Sequence, residues 1–99
     1  MRCQVAWSGE EVAGVVLSQR YAGEGFILDV AVRQAWQRQG IARSLLLRCL
    51  RGFASTGITQ ARLYVDAANV GACDLYEHIG FRAVKDHSRY QKLLLLGAR

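Results

Sequence analysis

Seven consecutive residues form the segment of this chain best suited to chemistry, because they join an apolar strand to an amphipathic helix. They are Gln37, Arg38, Gln39, Gly40, Ile41, Ala42 and Arg43. Residues 30–65 contain six arginines and no carboxylate, so the N–H groups and dipole of the helix N-terminus stay available for an external anion. Gly40 would let such a ligand approach the backbone closely. The segment therefore predicts a phosphate cradle, with an ordinary tight turn at Gly40 as the alternative.

The cysteines and histidines could also carry chemistry, but we interpret them as structural or solvated residues. Cys73 as a nucleophile would need an adjacent base or a helix N-terminus, and because cysteine is commonly buried we interpret it as a packing residue. We expect His78 on the polar face of a helix and His87 in a turn, both solvated. The three cysteines are odd in number and form no Cys-x-x-Cys pair, so neither a disulfide framework nor a metal site is predicted, and a reducing cytoplasm is favoured.

The elements that must position the seven-residue segment follow from hydrophobic periodicity and turn residues. They predict an α/β layered domain with the order βββαβαββ, a mostly antiparallel mixed sheet and two helices. The predicted strands are Arg2–Trp7, Val12–Leu17, Phe26–Val32, Ala61–Asp66, Phe81–Val84 and Arg89–Leu96, with Lys85–Ser88 as the last connection. One helix runs from Gly40 to near Gly57, and the other runs from an Asn69 N-cap to Ile79, with Gly80 as its stop.

Length and composition limit the classes of protein that the chain could be. A chain of 99 residues that is 52% hydrophobic and 21% charged is typical of one folded domain, residues 1–99, and not of disorder. No apolar run reaches the roughly 18 residues that span a bilayer, so no membrane partner is predicted. The net charge of +5 would suit a small nucleic-acid-binding domain. That hypothesis ranks last, because the chain has no recognised binding signature and no aromatic stacking platform.

Two motifs carry a resemblance to a known family. Gln37, Gly40 and Ala42, after the strand that ends at Val32, match Gln/Arg-x-x-Gly-x-Gly/Ala, the signature of the GNAT superfamily of acyl-CoA-dependent acyltransferases. The segment from Asn69 to Phe81 resembles the family's second helix and following strand, and its Leu-Tyr-Glu-x-x-Gly-Phe wording is similar to mycothiol synthase-like members. The resemblance implies a GNAT-like fold, with residues 26–90 as the cofactor-binding portion.

The resemblance also implies a site for acetyl-CoA as co-substrate, with no metal. Backbone N–H groups from Arg38 to Arg43 would bind the CoA pyrophosphate with help from the arginine side chains. The pantetheine arm would lie where the third and fourth strands splay apart, hydrogen-bonded to backbone around Val30 and Val32. Asn69 has two compatible roles, as the N-cap of its helix and as a CoA contact.

Two residues would carry catalysis by resemblance. Tyr76 would protonate the departing thiolate; the alternative is a core aromatic whose hydroxyl bonds a backbone carbonyl. Asp29 would serve as general base, with a solvated surface carboxylate as the alternative. Strand alternation predicts that Asp29 shares a face with Ile27 and Ala31, opposite Leu28, Val30 and Val32.

The implied function is N-acetyltransfer from acetyl-CoA to an amine that attacks the thioester directly. The alternative is a non-catalytic CoA-binding module, or a partial domain completed by a partner. Family members usually begin with a strand and two helices that help to build the acceptor pocket, and this chain starts at the following hairpin. We therefore expect an uncovered apolar patch on the sheet and a homodimer or a partner domain to cover it. The identity of the acceptor stays open.

Overall fold

The computed structural model describes residues 2–84 and 89–94. Its elements are β1 (Arg2–Ser8), β2 (Glu11–Tyr21), β3 (Glu24–Val32), a single 3-10 turn (Gln34–Trp36), α1 (Ile41–Ser55), β4 (Gln60–Tyr64), α2 (Val70–Ile79), β5 (Arg82–Val84) and β6 (Arg89–Leu93). The predicted order βββαβαββ is confirmed. The predicted connection Lys85–Ser88, including His87, and the end of the last predicted strand at Leu95 and Leu96 lie outside the described residues.

The six strands form one mixed sheet in the order β1-β2-β3-β4-β6-β5. Strands β1, β2 and β3 are an antiparallel meander, and β6 is antiparallel to both β4 and β5. Among the strands that the structure describes, the one parallel pair is β3 with β4, which α1 connects. Its pairing covers only Gly25 to Ile27 on β3, so the two strands diverge after Ile27. This divergence confirms the predicted splay of the third and fourth strands.

Both helices pack on the same face of the sheet. Gly25 of β3 lies under α1, where a β-carbon would overlap the Phe53 ring. Tyr76 of α2 packs against Tyr90 of β6 with ring centroids 6.2 Å apart. Tyr90 is paired with Leu63 of β4, which is paired in turn with Ile27 of β3, two residues from Gly25. The core therefore lies between this face and the buried stripe of α1, which comprises Leu45, Leu46, Cys49, Leu50 and Phe53.

The other face of the sheet has no helix of the described residues packed on it, and we call it the uncovered face. The registers assign to it Cys3, Val5, Val15, Leu17, Gln19, Tyr21, Glu24, Phe26, Asp29, Ala31, Gln60, Arg62, Tyr64, Arg82, Val84, Arg89 and Gln91. Apolar side chains dominate its β1 to β3 side, and polar side chains, three of them arginines, dominate its β4 to β5 side. The predicted uncovered patch on the early strands is confirmed.

A β-bulge at Leu28 changes which residues of β3 share a face. Leu17 of β2 is paired with Asp29 and Ser18 with Ile27, so Leu28 is an extra residue on β3. One extra residue shifts the two-residue alternation of side chains. As a result Ile27 joins Val30 and Val32 on the helix-covered face. The prediction that Asp29 shares a face with Ile27 is wrong, and its grouping with Ala31, opposite Val30 and Val32, is confirmed.

Candidate active site

The N-terminus of α1 is open to an external ligand. Its N-cap, Gly40, has a φ of 80° in the left-handed region, and within the described chain no side chain caps the helix and no acidic residue lies in its first turn. The α-helix itself offers no acceptor to the N–H groups of Ile41, Ala42 and Arg43. These groups and the helix dipole create a positive electrostatic potential in front of Gly40.

The junction that delivers the chain to Gly40 is held by hydrogen bonds to the sheet. The Arg33 N–H donates to the Ala13 carbonyl of β2 at 2.8 Å, and the Gln37 side chain donates to the Val32 carbonyl at 3.0 Å. Arg38 has a φ of 65°, a left-handed backbone that is uncommon for a residue with a β-carbon. The turn is therefore anchored to the ends of β2 and β3, which fixes where α1 begins.

A cleft of about 580 Å³ lies between β3, the start of α1 and α2. It is lined by Val30, Val32, Trp36, Gln37, Arg38, Gly40, Ile41, Ala42, Arg43, Gly71, Ala72, Leu75 and Tyr76. Nine of the residues that sequence reasoning singled out are therefore brought together. Of the remainder, Gln39 lines a separate groove between β1 and α1, and Asn69 and Asp29 line the splay.

Four lining residues were missed by sequence reasoning: Trp36, Gly71, Ala72 and Leu75. Ala72 lies one helical turn before Tyr76 on the same side of α2, so helical spacing from Tyr76 would have found it. Trp36 belongs to the 3-10 turn, and no local pattern marks that turn as part of a cleft. Trp36 lines the cleft because the segment between β3 and α1 folds back toward it.

A second opening of about 200 Å³ lies in the splay between β3 and β4. It is lined by Ile27, Leu28, Asp29, Val30, Leu63, Tyr64, Val65, Asn69, Ala72 and Tyr76. Ala72, Val30 and Tyr76 line both this opening and the larger cleft. The two cavities therefore meet at Tyr76, and Asp29 approaches from the uncovered face.

Tyr76 belongs to the core and to the cleft at once. It is buried, and its ring meets Phe81 edge to face with centroids 6.0 Å apart. Burial chiefly, then the negative charge of Asp29 and that of Cys73, raise the pKa of Tyr76 above its ordinary value of 10.0. A phenol with a raised pKa keeps its proton at neutral pH, so the Tyr76 side chain presents a protonated hydroxyl group where the two cavities meet.

Three other predicted residues have clear positions. The Asn69 side chain accepts a hydrogen bond from the Ala72 N–H at 3.2 Å, which confirms its role as the N-cap of α2. Cys73 is half-buried against the core, its Sγ 4.0 Å from the Asp66 carbonyl oxygen, in agreement with its interpretation as a packing residue. His78 is exposed, as predicted, with Nδ1 2.9 Å from the Asp74 carbonyl oxygen.

The arginines of α1 divide into two groups. Arg43 lines the cleft together with Arg38 of the preceding turn. Arg48 and Arg51 are exposed on the outer side of α1 and line the groove that contains Trp7. Neither helix, α1 nor α2, is long and apolar enough to cross a membrane, within the ranges that the structure describes.

The amino-acid sequence is similar to those of several known acetyltransferases. The chain is 38% identical over 79 residues to a mycothiol acetyltransferase of Streptomyces scabiei, covering 78% of this chain and 26% of that protein. It is 30% identical over 80 residues to the ribosomal protein bS18 alanine N-acetyltransferase of Escherichia coli, covering 81% of this chain and 54% of that protein. The chain thus spans about a quarter of the first relative and about half of the second.

Solved structures share the fold. The Thermoplasma acidophilum PaiA N-acetyltransferase in complex with coenzyme A superposes with a TM-score of 0.84 at 22% identity, over 92% of this chain and 59% of that one. The Escherichia coli ribosomal-protein-S18-alanine N-acetyltransferase gives 0.82 at 22% identity, over 94% and 68%. The model of the acetyltransferase (GNAT) family matches residues 1–81. The chain therefore belongs to the GNAT family of acetyltransferases.

Proposed function

We propose that this chain binds acetyl-CoA in the cleft and catalyses transfer of the acetyl group to an amine. The observation that carries the proposal is the continuity of the site: one cleft runs from the uncapped N-terminus of α1 to Tyr76, where it meets the splay. An anion site at one end and a proton donor at the other suit a ligand with phosphates and a thioester. Relatives named as acetyltransferases and a CoA-bound structural neighbour support the proposal.

The residues present suit the anionic part of the ligand. A pyrophosphate in front of Gly40 would accept hydrogen bonds from the N–H groups of α1, and the exposed side chains of Arg38 and Arg43 would pair with its charge. A β-carbon at Gly40 would meet no atom within 4 Å, so this position has open space in front of it. Gln37 would act indirectly, because its side chain holds the turn to Val32.

The pantetheine arm would follow the apolar middle of the cleft. Val30 and Val32 line it from β3, and their neighbourhood offers backbone groups on the side where β3 has separated from β4. Asn69 would contact this arm only through groups that its capping interaction with Ala72 leaves available. Residues 26–90 are the cofactor-binding portion under this proposal.

The chemistry would take place where the cleft meets the splay. Acetyl-CoA supplies the acetyl group as a thioester, whose carbonyl carbon forms a C–N bond with the amine as its C–S bond breaks. Tyr76 gives its hydroxyl proton to the departing sulfur and recovers a proton from solvent. Asp29, exposed on the other side of the opening, takes the proton that the incoming ammonium must lose before its nitrogen can attack.

A homodimer or a partner domain would cover the apolar side of the uncovered face, which carries Val5, Val15, Leu17 and Phe26. Large exposed apolar patches usually mark interfaces. Light scattering at tens of micromolar tests this part, and a monodisperse monomer would contradict it. Three free cysteines, one of them exposed, suit a reducing cytoplasm.

The experiment that tests the catalytic proposal is a thiol-release assay with acetyl-CoA and a panel of amines. We expect Tyr76→Phe to lower kcat by about a hundredfold, the usual scale of a general acid, and to leave CoA affinity by calorimetry unchanged. The matched control is Tyr90→Phe, which removes a second buried hydroxyl from the same aromatic cluster. A protein that binds CoA and turns over no amine would instead be a non-catalytic CoA-binding module.

A further inference from the structure

We infer that the splay selects acceptor amines with a single positive charge on an apolar body, held between Asp29, Leu28 and Tyr64; this inference rests on the proposed acetyl transfer. Three observations carry it: the side from which the splay opens, the charges around it, and the apolar side chains at its rim. Polyamines and other acceptors with several ammonium groups would then be poor substrates.

The acceptor would enter from the uncovered face. Val30 and Tyr76 border the opening on the helix-covered side, where the larger cleft begins. Asp29 and Tyr64 border it on the uncovered face, and both side chains are exposed. An amine approaching from that face meets Asp29 before it reaches Tyr76. The acetyl donor and the acceptor would thus occupy opposite sides of one opening.

The charged side chains of the uncovered face near the splay can pair with one ammonium group of the acceptor. Glu24 is already engaged by Arg62, with a distance of 2.7 Å between Oε1 and Nε. Asp29 forms no ion pair within the described residues and lines the opening itself. Arg89 of β6 is paired in register with Tyr64, so a cation stands beside the far rim. A second ammonium on the acceptor would meet Arg89 at the far rim, whereas Asp66, the next carboxylate after Tyr64, already accepts a hydrogen bond from the Ala68 N–H at 2.9 Å.

The rim of the opening is apolar on both sides. Leu28 is the bulged residue of β3, and its side chain is 47% exposed. Tyr64, at the end of β4, is 68% exposed. Large apolar side chains exposed on either side of an opening suit an acceptor whose body is aliphatic or aromatic. These residues would contribute contact area that a short amine such as methylamine cannot use.

A matched series of alkylamines tests the charge preference. Hexylamine and 1,6-diaminohexane have the same chain length and differ by one ammonium. We expect kcat/KM for hexylamine to exceed that for the diamine at least about threefold, the scale of one unfavourable exposed charge contact. Arg89→Gln should narrow this preference, whereas Arg82→Gln, on the edge strand β5, should preserve it. Equal values, or a preference for the diamine, would overturn the inference.

A second comparison tests the apolar rim. Tyr64→Ala should lower kcat/KM for hexylamine about fivefold and leave that for methylamine unchanged, because the variant loses apolar contact with the hexyl chain. The control is Tyr21→Ala, which removes a tyrosine of similar exposure, 70%, from the end of β2 on the same face. A loss that is equal for both amines, or equal in the Tyr21 variant, would contradict the assignment of Tyr64.

Binding measurements separate this inference from the proposed function. If the protein binds CoA and no amine is acetylated, the proposed function fails while selectivity can still be read by NMR. Hexylamine added to the CoA complex should then shift the amide signals of Leu28, Asp29 and Tyr64 at lower concentration than 1,6-diaminohexane does. No shift at these residues, or equal shifts with both amines, would overturn the inference.

Discussion

The two helices of this chain begin in opposite ways after neighbouring parallel strands. Before α1, the chain leaves β3 through Gly40, which has no side chain to cap the helix, and no acidic residue lies in the first turn. Before α2, the Asp66 carboxylate accepts from the Ala68 N–H at 2.9 Å and the Asn69 side chain accepts from the Ala72 N–H. One helix N-terminus stays open, and the other is closed by the chain itself.

This difference separates a structural junction from one that can bind a ligand. Internal capping stabilises a helix by about 1 kcal/mol, and α1 does without it. The burial of five side chains of α1 offsets that loss, because packing rather than capping provides most helix stability in a folded protein. The first residues of α1, with their open N–H groups, line a cleft, whereas in α2 the Ala72 N–H is bonded to the Asn69 side chain. This difference supports the N-terminus of α1, and not that of α2, as the anion site of the proposed function.

The largest effect is expected when the open N-terminus is closed by a carboxylate. Ala42→Asp places a negative charge in the first turn of α1, and we expect CoA affinity to fall about a hundredfold, or about 2.7 kcal/mol, since charge-assisted contacts are replaced by repulsion. Thermal stability should be unchanged or higher, because the carboxylate complements the helix dipole. Calorimetry measures the affinity.

The matched control puts the same charge on the other helix. Val70 is the first residue of α2, exposed and absent from the lining of both cavities. Val70→Asp should leave CoA affinity within about twofold of the wild type, since the charge is screened at the surface. Equal losses in the two variants would show that α1 has no special role.

The second effect concerns the two groups of arginines on α1. Arg43→Gln should weaken CoA about tenfold, by loss of one charged contact to phosphate, and Arg48→Gln should not change the affinity. Titrations at two salt concentrations test the electrostatic origin of this effect, because the loss of CoA affinity in Arg43→Gln should become smaller as the salt concentration rises. A weaker affinity in both variants would indicate a general effect of net charge and contradict the local site.

The third effect belongs to the closed N-terminus. Asn69→Ala removes the side chain that caps α2, so the free energy of unfolding should fall by about 1 kcal/mol. Urea denaturation measures it, and Asn69→Ser, which keeps a capping oxygen, should recover most of the loss. If Asn69→Ala leaves stability unchanged, the capping contrast between the two helices has no energetic weight.

The smallest effect is a loss of stability that begins only at alkaline pH and is negligible near neutral pH. Burial raises the pKa of Cys49 on α1 above 9.0 and the pKa of Tyr76 on α2 above 10.0, so the unfolded chain loses these protons first. The contribution of these two groups to stability is therefore fully present below pH 9.0 and is lost as pH rises, first for Cys49 and then for Tyr76. Cys49→Ala should remove the earlier part of the decline in urea denaturation curves. A decline that starts at the same pH in Cys49→Ala would contradict this assignment.

Features set by residues close together in the sequence were predicted correctly, and a feature set by pairing between strands was not. Asn69 and Gly80 mark the ends of α2 by local chemistry, and the structure has them at its N-cap and C-cap. The five buried residues of α1 recur at steps of three and four, which is the local pattern of an amphipathic helix. The bulge at Leu28 was not predicted, because an extra residue on β3 is defined only by the register of β3 with β2. For the same reason the face of Ile27 was predicted wrongly.

By itself the sequence determined the order of the elements, the open N-terminus of α1 and the family motifs, since each depends on residues close together along the chain. Tertiary structure alone decided that Trp36 and Tyr76 share a cleft and that Asp29 lines the splay, which meets that cleft at Tyr76. Those neighbours are joined by the splay of β3 and β4, whose pairing stops at Ile27. Pairing between distant strands is set by packing of the whole sheet, which no short window of sequence contains.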